Sequence, residues 1–478
     1  MRLHPPSTRF PSTWPAFALA VLLAGCAGTH IDANVAEVQR LGRQQLGAEP
    51  RWLTSEEARD QAQAEVDTLL ARPLAADGAV RIALAYSPQL QSALSQAAAS
   101  SASATRSVRL PNPVFSFEHL ARGGGDAREL EISRMLSVPL LDLLLLPARM
   151  RQADYRQQQV RLQLAGEVVQ AATDARAAWV RAVAAQEALG YVERVMSAAQ
   201  AAAELARRME AAGNFSRLQA ARQQAFHAEA VAQLARTRHA ALSTREALVR
   251  ALGLNDAQAA ALKLPPRLPD LPALPRDEQA QGQATLDERL DVALARADLA
   301  HAAREQGLTR VTSLVDGLHL GVQRNSETGL PRQKGWELEL PLPIFDAGDA
   351  ARAQSQAAYM AVLDRTAAVG RQAASQLRES WDAYRTAYEV ARHYRDEVVP
   401  LRKTISKENL LRYNGMLIGV FDLLADTREQ VASVMQALDA QRDFWLADAA
   451  LQAAAIGRPT TLPSLEARAS VAADAGGH

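Results

Sequence analysis

Two hydrophobic rhythms alternate along this chain. The first is helical. Apolar residues fall every three or four positions, as in Val168, Ala172, Ala175 and Trp179, the spacing that gives a helix one buried stripe. Between Pro147 and about Ala212 no interior proline interrupts this pattern, and Ala, Leu, Val, Gln, Arg and Glu fill the stretch. It predicts one helix which, at about 1.5 Å per residue, is close to 100 Å long. Gly213-Asn214-Phe215-Ser216 supplies a turn and a helix cap, and a second helix is expected from Arg217 to Leu252. That limb is too short to cover its partner. The helix-compatible stretch from Gly78 to Ser107, broken near its start by Pro88, makes up the missing length if the short helices stack end to end. Further on, a helix predicted from Ala347 to Tyr413 is matched by Phe421–Ile456 and by roughly Thr285–Leu314.

The second rhythm has period two. Val114-Phe115-Ser116-Phe117-Glu118-His119 and Leu130-Glu131-Ile132-Ser133, continuing to Val138, alternate apolar and polar residues on either side of Arg122-Gly123-Gly124-Gly125-Asp126. Leu318–Val322 and Trp336–Leu340 do the same around a loop with Asn325, Ser326, Gly329 and Pro331. Alternation around glycine-rich joints predicts two β-hairpins, four strands in all. Arg134 breaks the apolar parity of its strand.

Both rhythms occur twice because the chain is duplicated. Val138-Pro139-Leu140-Leu141-Asp142 returns as Leu342-Pro343-Ile344-Phe345-Asp346 at an offset of 204, as do Tyr155 at Tyr359 and Leu252-Gly253 at Ile456-Gly457. Gly213 and Phe215 match Gly419 and Phe421 at 206. Repeats of this kind define the architecture before any motif does. The expected organisation is a segment of residues 1–25, a first repeat at 26–264, a proline-rich linker at 265–284, a second repeat at 285–460 and a disordered tail at 461–478. The linker carries five prolines from Pro265 to Pro275 and cannot continue a helix.

The N-terminal segment sets the compartment. Arg2 and Arg9 precede an apolar run from Trp14 to Ala24, too short to span a bilayer but suited to a secretory signal. It ends at Leu23-Ala24-Gly25-Cys26, which resembles the bacterial lipoprotein box. That resemblance implies diacylation of Cys26 and cleavage before it, so that Cys26 becomes the new N-terminus, with Ala27 favouring outer-membrane sorting.

Composition removes other classes. One cysteine in 478 residues forbids an intrachain disulfide framework, and 53 basic against 53 acidic side chains leave no footprint for nucleic acid. Aromatic residues are only 5%, and the Ala- and Leu-rich remainder favours packed helices. The nine histidines show no metal-ligand spacing, and no Lys-Ser/Thr follows Gly123-Gly124-Gly125 as a phosphate loop would require. The chain is expected to be no enzyme and to need no cofactor beyond the lipid on Cys26.

Four strands cannot close a barrel, and an open edge is not tolerated in lipid. An exported chain must keep such strands in water or pool them with other copies, of which three would give twelve. Trp336, Leu338 and Leu340 would then face lipid and Glu337 and Glu339 a lumen.

The lipobox, the duplicated hairpin-and-long-helix unit, the Pro-(Leu/Ile)-(Leu/Phe)-Asp string, and Arg412-Tyr413-Asn414-Gly415 followed by Phe421-Asp422-Leu423-Leu424 together resemble the TolC-type outer-membrane efflux protein family over roughly residues 50–460. The resemblance implies a mainly α fold with a small β part. It further implies a homotrimer with a twelve-stranded β-barrel continued by a twelve-helix α-barrel, supplied by a periplasmic adaptor and an inner-membrane pump. Asp422 matches an acidic position of the family's periplasmic constriction, where three carboxylates would converge and disfavour anions. The second acidic position falls on Ala425, with Asp426 one place late, and the basic partner on Ile418. Asp422 is alternatively a helix cap. Gly213, Asn214 and Phe215 at one tip, and Tyr413, Gly415 and Gly419 at the other, are candidate adaptor contacts or plain turn residues. Two other readings stay open: a lipid-anchored periplasmic coiled-coil adaptor without a pore, and a duct for protein secretion.

Overall fold

A computed structural model describes residues 30–123, 128–277, 286–313, 317–342 and 344–459. The signal segment, Cys26, residues 278–284 of the linker and the tail at 461–478 lie outside the described residues.

In chain order the elements are α1 (His30–Leu41), α2 (Glu56–Leu70), α3 (Ala76–Tyr86), α4 (Pro88–Ser107), β1 (Val114–Gly123), β2 (Arg128–Pro139), α5 (Leu140–Leu144), α6 (Leu146–Ala211), α7 (Arg217–Leu252), α8 (Asp256–Ala261), α9 (Leu290–Thr312), β3 (His319–Glu327), β4 (Gln333–Glu339), α10 (Asp349–His393), α11 (Val399–Asn414) and α12 (Val420–Ile456). They divide into two compact units. One comprises Ala97–Val160 and Gly307–Arg352 with the chain up to Ala36, and the other holds the rest.

The first unit contains the sheet, a single antiparallel layer in the order β1-β2-β3-β4. The two hairpins join through β2 and β3, with Glu131 opposite Glu327 and Pro139 opposite His319 at the ends of the shared ladder. Thr328 ties the second hairpin back, its N–H donating to the Leu130 carbonyl over 3.0 Å. Beneath the sheet, Gln157 on α6 is buried in a closed polar network. Its Oε1 accepts from Asn34 at 2.8 Å and from the Ser101 hydroxyl at 2.6 Å, and its amide donates to the Ser101 carbonyl at 2.9 Å. The repeated Pro-x-x-Asp string takes two forms. Asp142 lies on the short helix α5 and pairs with Arg149. Asp346 accepts from the Gly348 N–H at 2.8 Å, three residues before α10 starts.

The second unit holds most of the helical limbs. Helix α6 matches its expectation closely, and α7 begins and ends where its caps dictate. Ser216 and Gln219 form a capping box at its start, and Gly253 takes the left-handed conformation at its end. Val66, Leu70, Ile82, Trp179, Val183, Leu248 and Leu252 make one buried core, with the Trp179 indole donating to the Leu74 carbonyl at 2.7 Å. Leu377, Trp381, Tyr384, Tyr388, Phe444 and Leu451 make the corresponding core of the second repeat, with four ring contacts between 5.0 and 6.0 Å. The two repeats are fastened by Arg176 to Gln452 at 2.6 Å and by Arg458 to Glu167 at 3.0 Å.

Two expectations change. The helix expected over Ala347–Tyr413 starts at Asp349 and is interrupted by a π-helical turn, Tyr394–Val398, before α11. Pro400 is the cause, since it offers no N–H and its ring crowds the preceding turn. The stretch Gly78–Ser107 breaks at Pro88 as expected, Pro88 being the first residue of α4.

The proline-rich linker, where described, is a docked strap rather than a spacer. Leu268 and Leu271 are buried. The Leu268 N–H donates to Glu187, the Trp445 indole and the Gln441 amide donate to the Pro269 carbonyl, and the Tyr388 hydroxyl reaches the carbonyls of Pro272 and Ala273. Arg276 closes the strap, pairing with Asp448 at 2.8 Å while its N–H donates to the Tyr384 hydroxyl. Prolines suit this role, because the strap's carbonyls find partners and the missing N–H groups need none. Burial raises the pKa of Tyr384, and burial likewise holds the Glu187 carboxyl above its ordinary range despite the Leu268 N–H and the charge of Arg267.

Candidate functional site

The sheet is two-faced. Register rows crossing all four strands put Phe115, Leu136, Val322 and Trp336 side by side, with Val138, Leu320 and Leu338 in the next row of the same face. Apart from the half-buried Val138 these residues are exposed in the single chain, Trp336 at 72% and Phe115 at 63%. The opposite face carries Ser116, Ser133, Gln323, Asn325 and Gln333, together with Glu118, Glu131, Glu327, Glu337 and Glu339. Period-two geometry sorts these sets, because successive side chains point to opposite faces. Among the described residues of one chain the outer edges of β1 and β4 have no strand beside them. A layer with an exposed apolar face, an acidic polar face and two open edges is incomplete alone.

The helix tips form the other candidate region. At the α6–α7 turn, Gly213 is left-handed with φ +75°, and the N–H groups of Asn214 and Phe215 both donate to the Met209 carbonyl. Gly213 and Asn214 are exposed. At the α11–α12 turn the left-handed residue is Met416, φ +60°, while Gly415 has φ −81°. Glycine was the natural choice from sequence, since left-handed backbone costs other residues about 1 kcal/mol or more, and Met416 carried no signal. The turn presents Met416 and Leu417 to solvent at 93% and 77%, with Tyr413 less exposed. Gly419 is the extended N-cap residue of α12, so it matches Ser216 in role and not the left-handed Gly213 with which the repeat pairs it.

Asp422 is exposed in the first turn of α12, and its carboxylate accepts from the Gly419 N–H at 3.1 Å. It therefore caps the helix from the third position, a favourable place for an anion at a helix N-terminus. Asp426, one turn on, is buried in the single chain, and its Oδ2 has no hydrogen-bond partner. Nearby on α12, Arg428 donates to the Arg222 carbonyl on α7 and stacks 4.4 Å from the Phe226 ring, and Glu429 pairs with Arg402 on α11.

Among the described residues no three His, Cys, Asp or Glu side chains converge to hold a metal ion, and no helix is long and apolar enough to cross a membrane.

No protein-family model matches the sequence, and no curated protein matches it. Solved structures do match its fold. The outer membrane protein VceC from Vibrio cholerae superposes with a TM-score of 0.67 at 14% identity, over 84% of this chain and 99% of that one. The CmeC outer membrane channel of Campylobacter jejuni gives 0.66 at 12% identity, over 86% and 89%. The open state of the MtrE outer membrane channel of Neisseria gonorrhoeae gives 0.61 at 18%, over 83% and 91%. The chain has the fold of these outer-membrane channels.

Proposed function

We propose that this chain belongs to the TolC-type outer-membrane factors and that three copies form the outer-membrane channel of a tripartite efflux system, anchored through lipid on Cys26. The observation that carries the reading is the two-faced sheet with both edges unpaired. Joining β4 of one copy to β1 of the next removes every edge, turns the row of Phe115, Leu136, Val322 and Trp336 toward lipid and places glutamates from all four strands around a water-filled lumen. The long helices of the three copies line the periplasmic duct. Conduction is passive, and energy comes from an inner-membrane pump.

The exposed tips receive the periplasmic adaptor. Gly213, Asn214 and Phe215 form one contact, and Tyr413, Gly415 and Gly419, together with Met416 and Leu417, the other. Asp422, held at the start of α12, is the constriction residue. A pore-free coiled-coil adaptor has no use for a sheet with an exposed apolar face.

Disulfide trapping tests the assembly. With Cys26 kept, its thiol occupied by the proposed lipid, Ser116→Cys on β1 is combined in turn with Gln333→Cys, Gly335→Cys and Glu337→Cys on β4, all on the polar face. One combination should give covalent trimers in membranes. Monomers in all three contradict the reading.

A further inference from the structure

The third register row on the apolar face is not apolar. It reads Phe117, Arg134, Arg324, Lys334 from β1 to β4, each directly opposite the next. With strands about 4.8 Å apart, the three cations stand within roughly 10 Å of one another, and like charges placed directly opposite destabilise a sheet. Nothing on this face offsets them. Its other register positions hold Phe115, His119, Ala121, Gly123, Arg128, Leu130, Ile132, Leu136, Val138, Leu320, Val322, Ser326, Trp336 and Leu338, without one acidic residue, while the glutamates of the strands lie at register positions of the opposite face. None of the three cations makes an ion pair among the described residues; Arg134 lies 6.0 Å from the Phe117 ring centroid. All three are exposed, and with Phe115, Leu136 and Val322 they line a shallow depression.

Position adds to the argument. The two apolar rows that reach β4, those of Leu136 and Val138, lie on the side of the cation row where the strands run into the helices, at Val114, Pro139, His319 and Glu339; toward the hairpin connections the face mixes His119 and Ser326 with Ala121, Leu130 and Ile132. Granted the proposed channel, whose helices are periplasmic, the row marks the external border of the apolar band. A charged row there is costly against hydrocarbon but favourable where a headgroup carries phosphate.

We propose that Arg134, Arg324 and Lys334 form a binding site for the phosphorylated headgroup of an outer-leaflet lipid, whose acyl chains lie along Phe115, Leu136, Val322 and Trp336. The inference rests on the channel reading above. Arginine clasps phosphate through two parallel N–H bonds and lysine adds a point charge. A ligand that binds only the folded sheet also stabilises it, offsetting the repulsion within the row. In a trimer the site occurs three times around the barrel.

The test uses the full chain in phosphatidylcholine nanodiscs doped with either lipid A or the same lipid with its phosphates removed, with bound lipid counted by native mass spectrometry and single-channel conductance as control. The wild-type protein should retain the phosphorylated lipid about tenfold better than the dephosphorylated one and melt at a higher temperature with it. The R134Q/R324Q/K334Q variant should lose that preference while keeping the wild-type trimer and conductance, and R134K/R324K should retain most of it. Equal retention of both lipids by the wild type, or an unchanged preference in the triple-glutamine variant, overturns the inference alone. A chain that never trimerises overturns the channel reading beneath it.

Discussion

Gly253 abuts Pro88 so closely that a Cβ at position 253 would lie 2.2 Å from the proline Cδ. The left-handed end of α7 thus sits against the first residue of α4. The second repeat does the same, where a Cβ on Gly457 would lie 2.6 Å from the Leu290 N at the start of α9. The short helices do stack end to end, and each joint depends on a glycine for both its positive φ and its missing side chain.

Gly253→Ala should therefore cost about 2–4 kcal/mol, combining left-handed strain with overlap against Pro88. Gly213→Ala shares the positive φ but has nothing within 4 Å of its new Cβ, so it should cost only about 1 kcal/mol. Thermal unfolding of the two purified variants separates the terms; equal losses would mean that the joint is not tight.

The strap should loosen when its hydroxyl clasp is removed. Tyr388→Phe deletes the donor to the Pro272 and Ala273 carbonyls and should cost about 1 kcal/mol. Limited proteolysis is the sharper readout, with cleavage within 265–277 accelerated relative to the tip of α6. An unchanged cleavage pattern would show that the strap does not depend on this clasp.

Glu187 predicts a pH dependence. Burial raises its folded pKa above the ordinary 4.5, so the native state binds its proton more tightly than the unfolded chain. That contribution to stability is fully present below about pH 4.5 and is lost as pH rises through the folded value. Glu187→Gln keeps an acceptor for the Leu268 N–H and should gain melting temperature relative to wild type at pH 8 more than at pH 5. A gain of the same size at both pH values would refute the assignment.

Cys26→Ser should abolish labelling by radioactive palmitate and leave the signal uncut before residue 26. Labelling that persists in the variant would show that the lipid is attached elsewhere.

Much of this fold is written locally. Helix α7 was legible to the residue because Ser216 and Gly253 are caps whose chemistry is self-contained, and the strands were legible because their apolar and polar positions alternate. β1 runs on to Gly123 beyond its clean alternation, since hydrogen bonding to Arg128–Glu131 carries it. What escaped is non-local. The docking of the strap depends on Tyr388 and Trp445, more than a hundred residues away. Met416 takes the strained position at the second tip although Gly415 is adjacent. Arg134 looked like a defect in its own strand, and only register against Arg324 and Lys334 from the other repeat makes it part of a row. Of the candidate site, the two faces of the sheet and the capping alternative for Asp422 were readable from sequence; the burial of Asp426 in the single chain required the tertiary structure.

The central claim is that three copies pool their sheets into a conducting pore. Single-channel recording of the purified protein in a planar bilayer, with native mass measured on the same sample, tests it most directly. The account predicts a trimer with discrete, cation-preferring conductance, set by the glutamates of the polar face and reduced in selectivity when Glu337 and Glu339 are changed to Gln. A stable monomer, or a trimer that leaves the bilayer silent under every applied potential, would contradict it.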